Sequence, residues 1–490
     1  MSVETDTSTA RTLPLVARTA GRPVRSRRTN WGVNATVLTI ATVVLSAGNY
    51  AYSFVIVHLL GAREFARFSA AQGLFLVIGS GCMAAIPWAM ARFITERDSR
   101  AARREAMHFG LLASALQGLL AAAIAGAVLW STAGAAVGVM TAIGTFAVSV
   151  VAVPVGFLQG IDRIRAIAGI RVLEFLVRVG SALAVVILIS RSASAALIGY
   201  PIGSVALIAV GLYLARSGLP PMRGESDTIR VLARQSLNLG AIQVFLSMLG
   251  ALDGVAALAA HLGTVATASY QGAALLGRIP LFLSTAISLA VYTHLVTPRR
   301  HADLRNRMGQ ALSMYMAATV PLLIACLTVP AGVIHTLLPA SYVDAASLLR
   351  FTAVSGAAVG WINVISTAHQ ARSRFRPAIR ILGIAAFCQP IVLICAGRVG
   401  GLWVFAAALA AVSVVAAAVL SFDARSWIPV RVGLWTPLLG AGAVGAAFVA
   451  RMSVAAWVGL IAVIGLAGLR AIWSGLHDHA TESGGRPDEL

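Results

Sequence analysis

Long apolar runs alternate with short polar connections along almost the entire chain. Three of these runs, near 33–59, 68–90 and 311–337, exceed the roughly 20 residues that a helix needs to cross about 30 Å of hydrocarbon. The pattern therefore predicts an all-α polytopic membrane protein. We assign about fourteen spans, which lie near 33–59, 67–91, 107–130, 135–158, 172–190, 194–214, 238–260, 265–295, 311–337, 345–368, 378–397, 400–421, 433–450 and 452–470.

Arginine is distributed unequally between the two sets of connections, and the chain contains no lysine. The segment before the first span and the connections after the even-numbered spans each carry two or more arginines. The connections after spans three, seven and nine carry none, those after spans five, eleven and thirteen carry one, and the first carries Arg63 and Arg67. Because arginine is enriched on the cytoplasmic side of membrane proteins, the alternation predicts an even number of spans and two cytoplasmic termini.

The composition agrees with a membrane protein and excludes an ordinary water-soluble domain. Of the 490 residues 58% are hydrophobic and 11% are charged, and the mean hydropathy is +0.84. The formal net charge of +20 is typical of some nucleic-acid-binding proteins, but the arginines follow the predicted topology. We therefore expect membrane lipids and no nucleic acid as partners. Residues 1–30 and 475–490 lack apolar periodicity and are predicted to be disordered and cytoplasmic.

A short pattern occurs twice in the chain, at an interval of 202 residues (263 − 61 = 202). The matching pairs are Leu60 and Leu262, Gly61 and Gly263, Ala66 and Ala268, Phe68 and Tyr270, Ala71 and Ala273, and Leu74 and Leu276. Each copy joins an odd-numbered span to the next even-numbered one. Two six-span pseudo-repeats in the same orientation explain this, and chance similarity in an alanine- and leucine-rich chain is the alternative.

The repeat predicts two lobes around a central cavity, an architecture of transporters that expose one site to each side of the membrane in turn. The first lobe covers 31–215 with spans one to six, and a cytoplasmic linker covers 216–237. The second lobe covers 238–421 with spans seven to twelve, and spans thirteen and fourteen lie within 422–474. Because a single chain would enclose the cavity, we expect the monomer to be functional.

Two stretches carry a resemblance to a known family. In NATVLTIATVVLSAGNYAYSFVIVHLLGAREFARFSAAQGL (34–74) and ASYQGAALLGRIPLFLSTAISLAVYTHL (268–295), the second helix opens with an aromatic residue among small ones. Together they resemble the polysaccharide-exporter branch of the multidrug/oligosaccharidyl-lipid/polysaccharide (MOP) superfamily. The resemblance implies a flippase for polyprenyl-pyrophosphate-linked oligosaccharides in a bacterial plasma membrane, with a polysaccharide polymerase or glycosyltransferases as partners. A lipid II flippase and a multidrug/toxin cation antiporter of the same superfamily are the alternatives.

A phosphate-bearing cargo requires cationic groups in a wet cavity. Arg278 falls near the middle of span eight, where an unpaired arginine costs about 2.5 to 3.5 kcal/mol on insertion scales. Pro280 cannot donate a backbone hydrogen bond, so we predict a bend beside Arg278. Asp253 in span seven lies within reach. The two interpretations are an ion pair that only docks two helices, or a site in which Arg278 attracts phosphate and Asp253 exchanges a coupling proton or cation.

The spans contain further polar candidates for the cavity, namely Asn49, Tyr50, Tyr52, Gln72, Gln243, Tyr270 and Gln271. They suit sugar hydroxyls and sugar faces, and for each the alternative is a hydrogen bond between helices. Glu174 and Arg178 are predicted to form an i,i+4 ion pair at the arginine-rich start of span five. Gly79, Gly81 and Pro87 in span two are interpreted as flexible points, or alternatively as sites of close helix packing.

The sequence gives little support to catalysis. It contains no glycine-rich phosphate loop after a strand, and its four cysteines lie within apolar spans rather than in a zinc-binding pattern. We expect no cofactor and no metal, and transport coupled to a proton or sodium gradient. A membrane-embedded glycosyltransferase or polymerase is the alternative from another class. It would need an acidic catalytic residue and a large external loop, whereas the connections after the odd-numbered spans are short.

Overall fold

The computed structural model describes residues 31–97, 99–216, 226–296, 301–428 and 435–484. These residues form eighteen helices and no strand. In chain order the helices are α1 (Trp31–Leu59), α2 (Ala62–Arg97), α3 (Arg100–Ala133), α4 (Ala135–Val150), α5 (Ala152–Gly160), α6 (Ile164–Leu188), α7 (Ala193–Leu197), α8 (Gly199–Ala215), α9 (Ser226–Ala251), α10 (Asp253–Ala259), α11 (Thr264–Gly277), α12 (Ile279–Val296), α13 (His301–Thr328), α14 (Ala331–Leu337), α15 (Ala345–Ala371), α16 (Phe375–Asp423), α17 (Trp435–Met452) and α18 (Val454–Gly484).

The helices coincide with the fourteen predicted spans. Seven spans are single helices, five consist of two consecutive helices, and α16 supplies two. The chain reverses within α16 at Gly401, whose φ of 69° is a conformation that glycine adopts without strain. Among the described residues seven segments are individually long and apolar enough to cross a membrane, and a bent pair makes an eighth. The all-α polytopic fold class is confirmed.

Helices extend into the predicted linker and into the tail that we predicted to be disordered, where the structure describes them. α9 begins at Ser226, inside the predicted linker, because its early turns are packed: Leu232 is buried in a cluster with side chains of α2 and α3. α18 continues to Gly484, inside the tail predicted to be disordered. The first strong helix stop there is the pair of glycines at 484 and 485. The predicted disorder of residues 1–30 lies outside the described residues.

Each half of the chain packs mainly on itself. In the first half α3 packs on α4, α2 on α5 and α3, α6 on α8, and α1 on α6. In the second half α15 packs on α16, α12 and α11, while α17 and α18 pack on α13. The two predicted lobes correspond to these two sets of helices, and their boundaries remain a prediction.

A turn with the same geometry occurs at one corresponding place in each half. Asp162 follows α5 with a φ of 58°, and Ser373 follows α15 with a φ of 56°. In both turns the next residue is an arginine, Arg163 or Arg374, whose backbone N–H donates to the carbonyl oxygen five residues earlier at 2.9 Å. This second correspondence supports the internal repeat, and the sequence alone does not reveal it because the surrounding side chains differ.

The two halves meet along α2 and α9, a contact that we call the α2–α9 seam. Small residues allow the two backbones to approach closely. A Cβ atom at Gly240 would lie 2.9 Å from Cβ of Ala85, and one at Gly81 would overlap the side chain of Val244. The corresponding contact between α1 and α12 is much less extensive. The repeat is therefore asymmetric, with one closely packed seam between the halves and one loosely packed seam.

Candidate substrate and coupling site

The span that carries Arg278 is interrupted at that residue. α11 ends at Gly277 and α12 begins at Ile279, with Arg278 between them at φ −85° and ψ −1°. Pro280 lacks an N–H, so the carbonyl oxygen of Leu276 loses the donor that a regular helix would supply. The helix is therefore interrupted where we predicted a bend, and the guanidinium lies at a helix junction.

The facing span is interrupted as well, at Leu252. α9 and α10 meet there at an angle of 53°, and Asp253 is the first residue of α10. We did not predict this bend, although the Asp253–Gly254 dipeptide is a turn signal. The two interruptions bring the carboxylate and the guanidinium together near the middle of the second half.

A buried polar triad, formed by Asp253, Tyr270 and Arg278, occupies this junction. The Tyr270 hydroxyl donates to Oδ2 of Asp253, and Nη2 of Arg278 donates to Oδ1 of the same carboxylate. Asp253 is 2% exposed and Tyr270 is fully buried, whereas the Arg278 side chain is 22% exposed. One carboxylate thus accepts from two side chains of the facing span, and the guanidinium is the member of the triad that water can reach.

Arg278 and Asp253 border a narrow cleft with a cavity volume of about 10 Å³. Its other walls come from α9, α12, α15 and α16, including Leu249, Thr352 and Ser355. All of these residues belong to the second half of the chain, so this cleft lies within the second half and not between the halves, where we predicted the cavity. This volume corresponds to about one water molecule, so neither a phosphate nor an oligosaccharide fits in this conformation.

Close backbone packing holds the junction against α15. A Cβ atom at Gly356 would overlap the carbonyl oxygen of Gly277 and lie 3.0 Å from its carbonyl carbon. The Thr352 hydroxyl donates to the carbonyl oxygen of Ala273 at 3.1 Å. Since the neighbouring atoms are backbone, they cannot rotate away from an added side chain. The position of Arg278 therefore depends on glycines at 277 and 356, which were not among the predicted site residues.

A second buried charge network lies in the first half. Nε of Arg178 is 2.8 Å from Oε1 of Glu174, and its Nη2 donates to Oδ1 of Asn49 at 2.7 Å. The guanidinium carbon also lies 5.0 Å from the ring centre of Tyr200, a distance suited to a cation–π contact. The side chains of Arg178 and Glu174 are 9% and 17% exposed. The predicted ion pair is present, with partners on α1 and α8 that sequence spacing does not reveal.

The Glu174–Arg178 pair lies further from the start of its helix than we predicted. We placed it at the arginine-rich start of span five, but α6 begins at Ile164, fourteen residues before Arg178. At about 1.5 Å per residue Arg178 is roughly 21 Å from that helix end. Arg165 and Arg171 belong to the helix, which moved the apparent start of the apolar run. Both halves thus hold an arginine–carboxylate pair well inside the bundle.

The remaining polar candidates divide between the two halves. Tyr52 donates to the carbonyl oxygen of Ala196 at 3.4 Å, and Gln72 donates to the Ser53 hydroxyl at 3.3 Å, so both bond between helices of the first half. The Tyr50 ring meets that of Phe282 at 6.4 Å, in the loose α1–α12 contact. Its hydroxyl is buried without a hydrogen-bond partner among the described residues.

Two glutamines lie near the contact between the halves. Gln271 is 2% exposed, and its amide nitrogen lacks a partner within the described part of the chain. A Cβ atom at Gly254 would meet that amide on one side and the α2 backbone, 3.3 Å away at Ala70, on the other. Gln243 is half-buried on α9, four residues before Ser247, whose hydroxyl lies 2.5 Å from that of Ser80 on α2. Neither glutamine contacts the triad through a hydrogen bond that the structure describes.

The residues interpreted as flexible points in α2 occupy packed positions. Gly81 faces α9 in the α2–α9 seam, and a Cβ atom at Gly79 would be in ordinary contact with Val148 at 3.4 Å. α2 continues without interruption through Pro87, whose Cα would lie 2.7 Å from a Cβ at Gly156. Close packing therefore explains these residues, and flexibility stays a prediction. No group of three or more metal-binding side chains occurs among the described residues.

Comparisons with solved structures identify the fold. The lipid II flippase MurJ, in an inward closed conformation, is 12% identical and has a TM-score of 0.65 over 90% of this chain and 99% of its own. A multidrug resistance MATE family transporter of the MOP superfamily, in an inward-facing conformation, is 16% identical and has a TM-score of 0.59 over 82% and 99%. This chain has the MOP fold. A MOP superfamily transporter from Pyrococcus furiosus also matches, at 14% identity and a TM-score of 0.55 over 82% and 96% of the two chains.

The MOP fold agrees with the superfamily that the two sequence stretches suggested, and it includes both transporters and a flippase. At these identities the likeness concerns the fold alone, so the polysaccharide-exporter branch remains a prediction. Neither protein-family models nor curated proteins matched the sequence. Within the MOP fold of this chain, the triad of Asp253, Tyr270 and Arg278 is the strongest candidate for a functional site.

Proposed function

We propose that the protein is a secondary transporter that flips a polyprenyl-pyrophosphate-linked oligosaccharide from the cytoplasmic to the outer face of a bacterial plasma membrane by alternating access. The observation that carries this proposal is a partly accessible arginine deep in the bundle, held by one buried carboxylate at a cleft. An arginine at such depth is costly and usually marks a substrate or ion pathway. Its planar donors suit the oxygens of a phosphate group.

The triad also suggests how binding is coupled to an ion gradient. The phosphate of the cargo and the carboxylate of Asp253 are competing acceptors for the same guanidinium. When Asp253 takes up a proton, or a sodium ion that replaces the guanidinium as its partner, Arg278 is released to bind phosphate. Tyr270 keeps its hydrogen bond to the carboxyl group in either state. Substrate and coupling cation therefore promote each other's binding at this step.

The loose α1–α12 contact offers a lateral route for the lipid chain. The α2–α9 seam is closed by small residues, so the lipid tail of a cargo whose phosphate is held at Arg278 would leave the bundle between α1 and α12. Tyr50 and Phe282 lie at this route, and Phe282 is 41% exposed. The sugar chain would occupy the interlobe space in another conformation, with Gln72, Gln243 and Gln271 as candidate contacts. The arginine-rich side is the cytoplasmic side in this proposal.

Export in a strain that lacks the gene tests the proposal. Surface polysaccharide and the lipid-linked intermediate on the cytoplasmic face are measured after reintroducing wild type, Arg278→Ala or Asp253→Asn at equal protein levels. The control is Arg350→Ala, an equal change of charge at an exposed position outside the cleft. We expect the intermediate to accumulate inside and to be cleared by wild type and by Arg350→Ala, but not by Arg278→Ala. Normal export with Arg278→Ala refutes the site.

The same strain separates the alternatives. Normal surface polysaccharide with altered sensitivity to inhibitors of peptidoglycan precursors would favour a lipid II flippase, and altered sensitivity to cationic drugs would favour a multidrug/toxin antiporter. We further propose that the monomer is functional and that a polysaccharide polymerase or glycosyltransferases act beside it. Co-purification from membranes and the mass of the detergent complex test these two points.

A further inference from the structure

Four exposed arginines gather at the arginine-rich end of the second half. We call them the arginine patch: Arg374, Arg376, Arg380 and Arg425. The first three lie around the start of α16, and the fourth follows its end. The guanidinium of Arg374 lies 5.3 Å from the ring centre of Trp427, so the two chain segments are held together at this end of the bundle.

The acidic residue next to this patch in the sequence, Asp423, contacts a buried histidine. Asp423 is the sole acidic residue between positions 345 and 428. Its Oδ2 lies 3.0 Å from Nε2 of His369, whose Nδ1 lies 3.1 Å from the carbonyl oxygen of Ile365. Because a carboxylate only accepts, Nε2 donates in the contact with Asp423. Asp423 is thus held by the buried imidazole, and the patch combines four arginines with one neighbouring acid.

At the arginine-rich end of the first half, acidic residues lie among the arginines. Asp162 occupies the turn position that Ser373 occupies in the second half, with nearly the same φ. Arg92 and Arg97 at the end of α2 lie 2.6 and 3.7 Å from the glutamates at 96 and 105. The first half therefore places several acids among its arginines, whereas the sequence around the patch offers Asp423 alone.

We propose that the arginine patch binds the phosphate headgroups of anionic phospholipids. The patch lies at the ends of α15 and α16, both long and apolar enough to cross a membrane, so in a bilayer it would face the headgroups. Clusters of four or more arginines at that level attract anionic lipids. Next to it Phe422 is 67% exposed, with the guanidinium of Arg425 4.3 Å from its ring centre. An aromatic ring beside a cation fits the boundary between acyl chains and phosphates.

The internal repeat supplies a test variant that keeps every arginine. Ser373→Asp recreates the aspartate that the first-half turn carries at this backbone conformation, so the turn can accommodate it. Ser373→Asn is the matched neutral control. Binding of phosphatidylglycerol and of phosphatidylcholine to the purified protein in detergent is measured by native mass spectrometry. We expect Ser373→Asp to weaken phosphatidylglycerol binding about fivefold, since one charge near the surface is worth about 1 kcal/mol. Arg376→Gln with Arg380→Gln should weaken it about tenfold or more.

Three results would overturn the proposal. The first is equal phosphatidylglycerol affinity for Ser373→Asp and Ser373→Asn. The second is an equal loss with Arg92→Gln and Arg97→Gln, because net charge and not the patch would then decide binding. The third is equal affinity of the wild type for the two lipids. The experiment contains no transported cargo, so its failure leaves the flippase proposal unaffected, and a failed export experiment leaves this one standing.

Discussion

Removing either charge of the Asp253–Arg278 pair should destabilise the protein much more than removing both. Loss of one member of a buried ion pair costs about 3 to 5 kcal/mol, because the other charge stays buried without a partner. Asp253 is 2% exposed, so Arg278→Met strands a carboxylate that water hardly reaches. The Arg278 side chain is 22% exposed, so Asp253→Asn strands a charge that is partly hydrated. We expect losses of about 3 and about 2 kcal/mol respectively.

The double variant should recover most of that loss. With both changes no charge is left at the junction, and the Tyr270 hydroxyl donates to the amide oxygen of the introduced asparagine as it does to the carboxylate. Replacing a buried ion pair by uncharged groups is often nearly neutral, so we expect a loss of about 1 kcal/mol. The corresponding coupling energy is about 4 kcal/mol (3 + 2 − 1), well above the few tenths that independent sites show.

The free energy of unfolding is measured for the wild type, the two single variants and the double variant. Unfolding takes place in mixed micelles of a mild detergent and sodium dodecyl sulfate and is followed by far-ultraviolet circular dichroism. Arg350→Met is the control, since the exposed guanidinium of Arg350 contacts the carbonyl oxygen of Ser347 and no described acid. We expect it to change stability by less than about 0.5 kcal/mol. Additive losses in the double variant, with a coupling energy near zero, would refute the buried pair, whatever the outcome of the export experiment.

Three further changes test the packing around the two charge networks. Gly356→Ala places a methyl group against the backbone of Gly277, and we expect a loss of about 1 to 3 kcal/mol in the same unfolding assay together with reduced export. Gly81→Leu separates α2 from α9, so export should fall strongly, whereas Gly79→Ala, which meets an ordinary contact, should leave export within about twofold of wild type. Arg178→Met leaves a mostly buried carboxylate one turn away, and we expect a loss of about 3 kcal/mol; a loss below about 0.5 kcal/mol would mean that the first-half network contributes nothing.

The polytopic class and the positions of the spans were predictable because they depend on local properties of the chain. A bilayer requires each span to be apolar over about 20 residues and to satisfy its own backbone hydrogen bonds, and both conditions are visible in a single run of sequence. The interruption at Arg278 was predictable for the same reason, since Pro280 removes a hydrogen bond of its own helix. The bend at Leu252 had only the weaker signal of an Asp-Gly dipeptide.

The contacts between spans were less predictable, because they depend on how each helix is rotated and tilted against its neighbours. Tyr270 was a candidate for sugar binding, and the structure pairs it with Asp253. Arg178 was assigned to the membrane boundary, and the actual start of α6 places it deep in the bundle. An arginine can lie inside a span when it pairs with a carboxylate and donates a hydrogen bond to an amide oxygen. A hydropathy profile contains no information about such partners.

By itself the sequence determined an all-helical polytopic membrane protein and one charged pair beside a proline, and it predicted fourteen spans and an internal repeat. Tertiary structure decided which seam between the halves is closely packed, that the cleft at Arg278 lies within the second half, and that Asp423 contacts His369. The physical reason is that each span must be apolar and must satisfy its own backbone hydrogen bonds, which are local properties of the sequence. Glycine contacts and ion pairs form between helices that are distant in sequence.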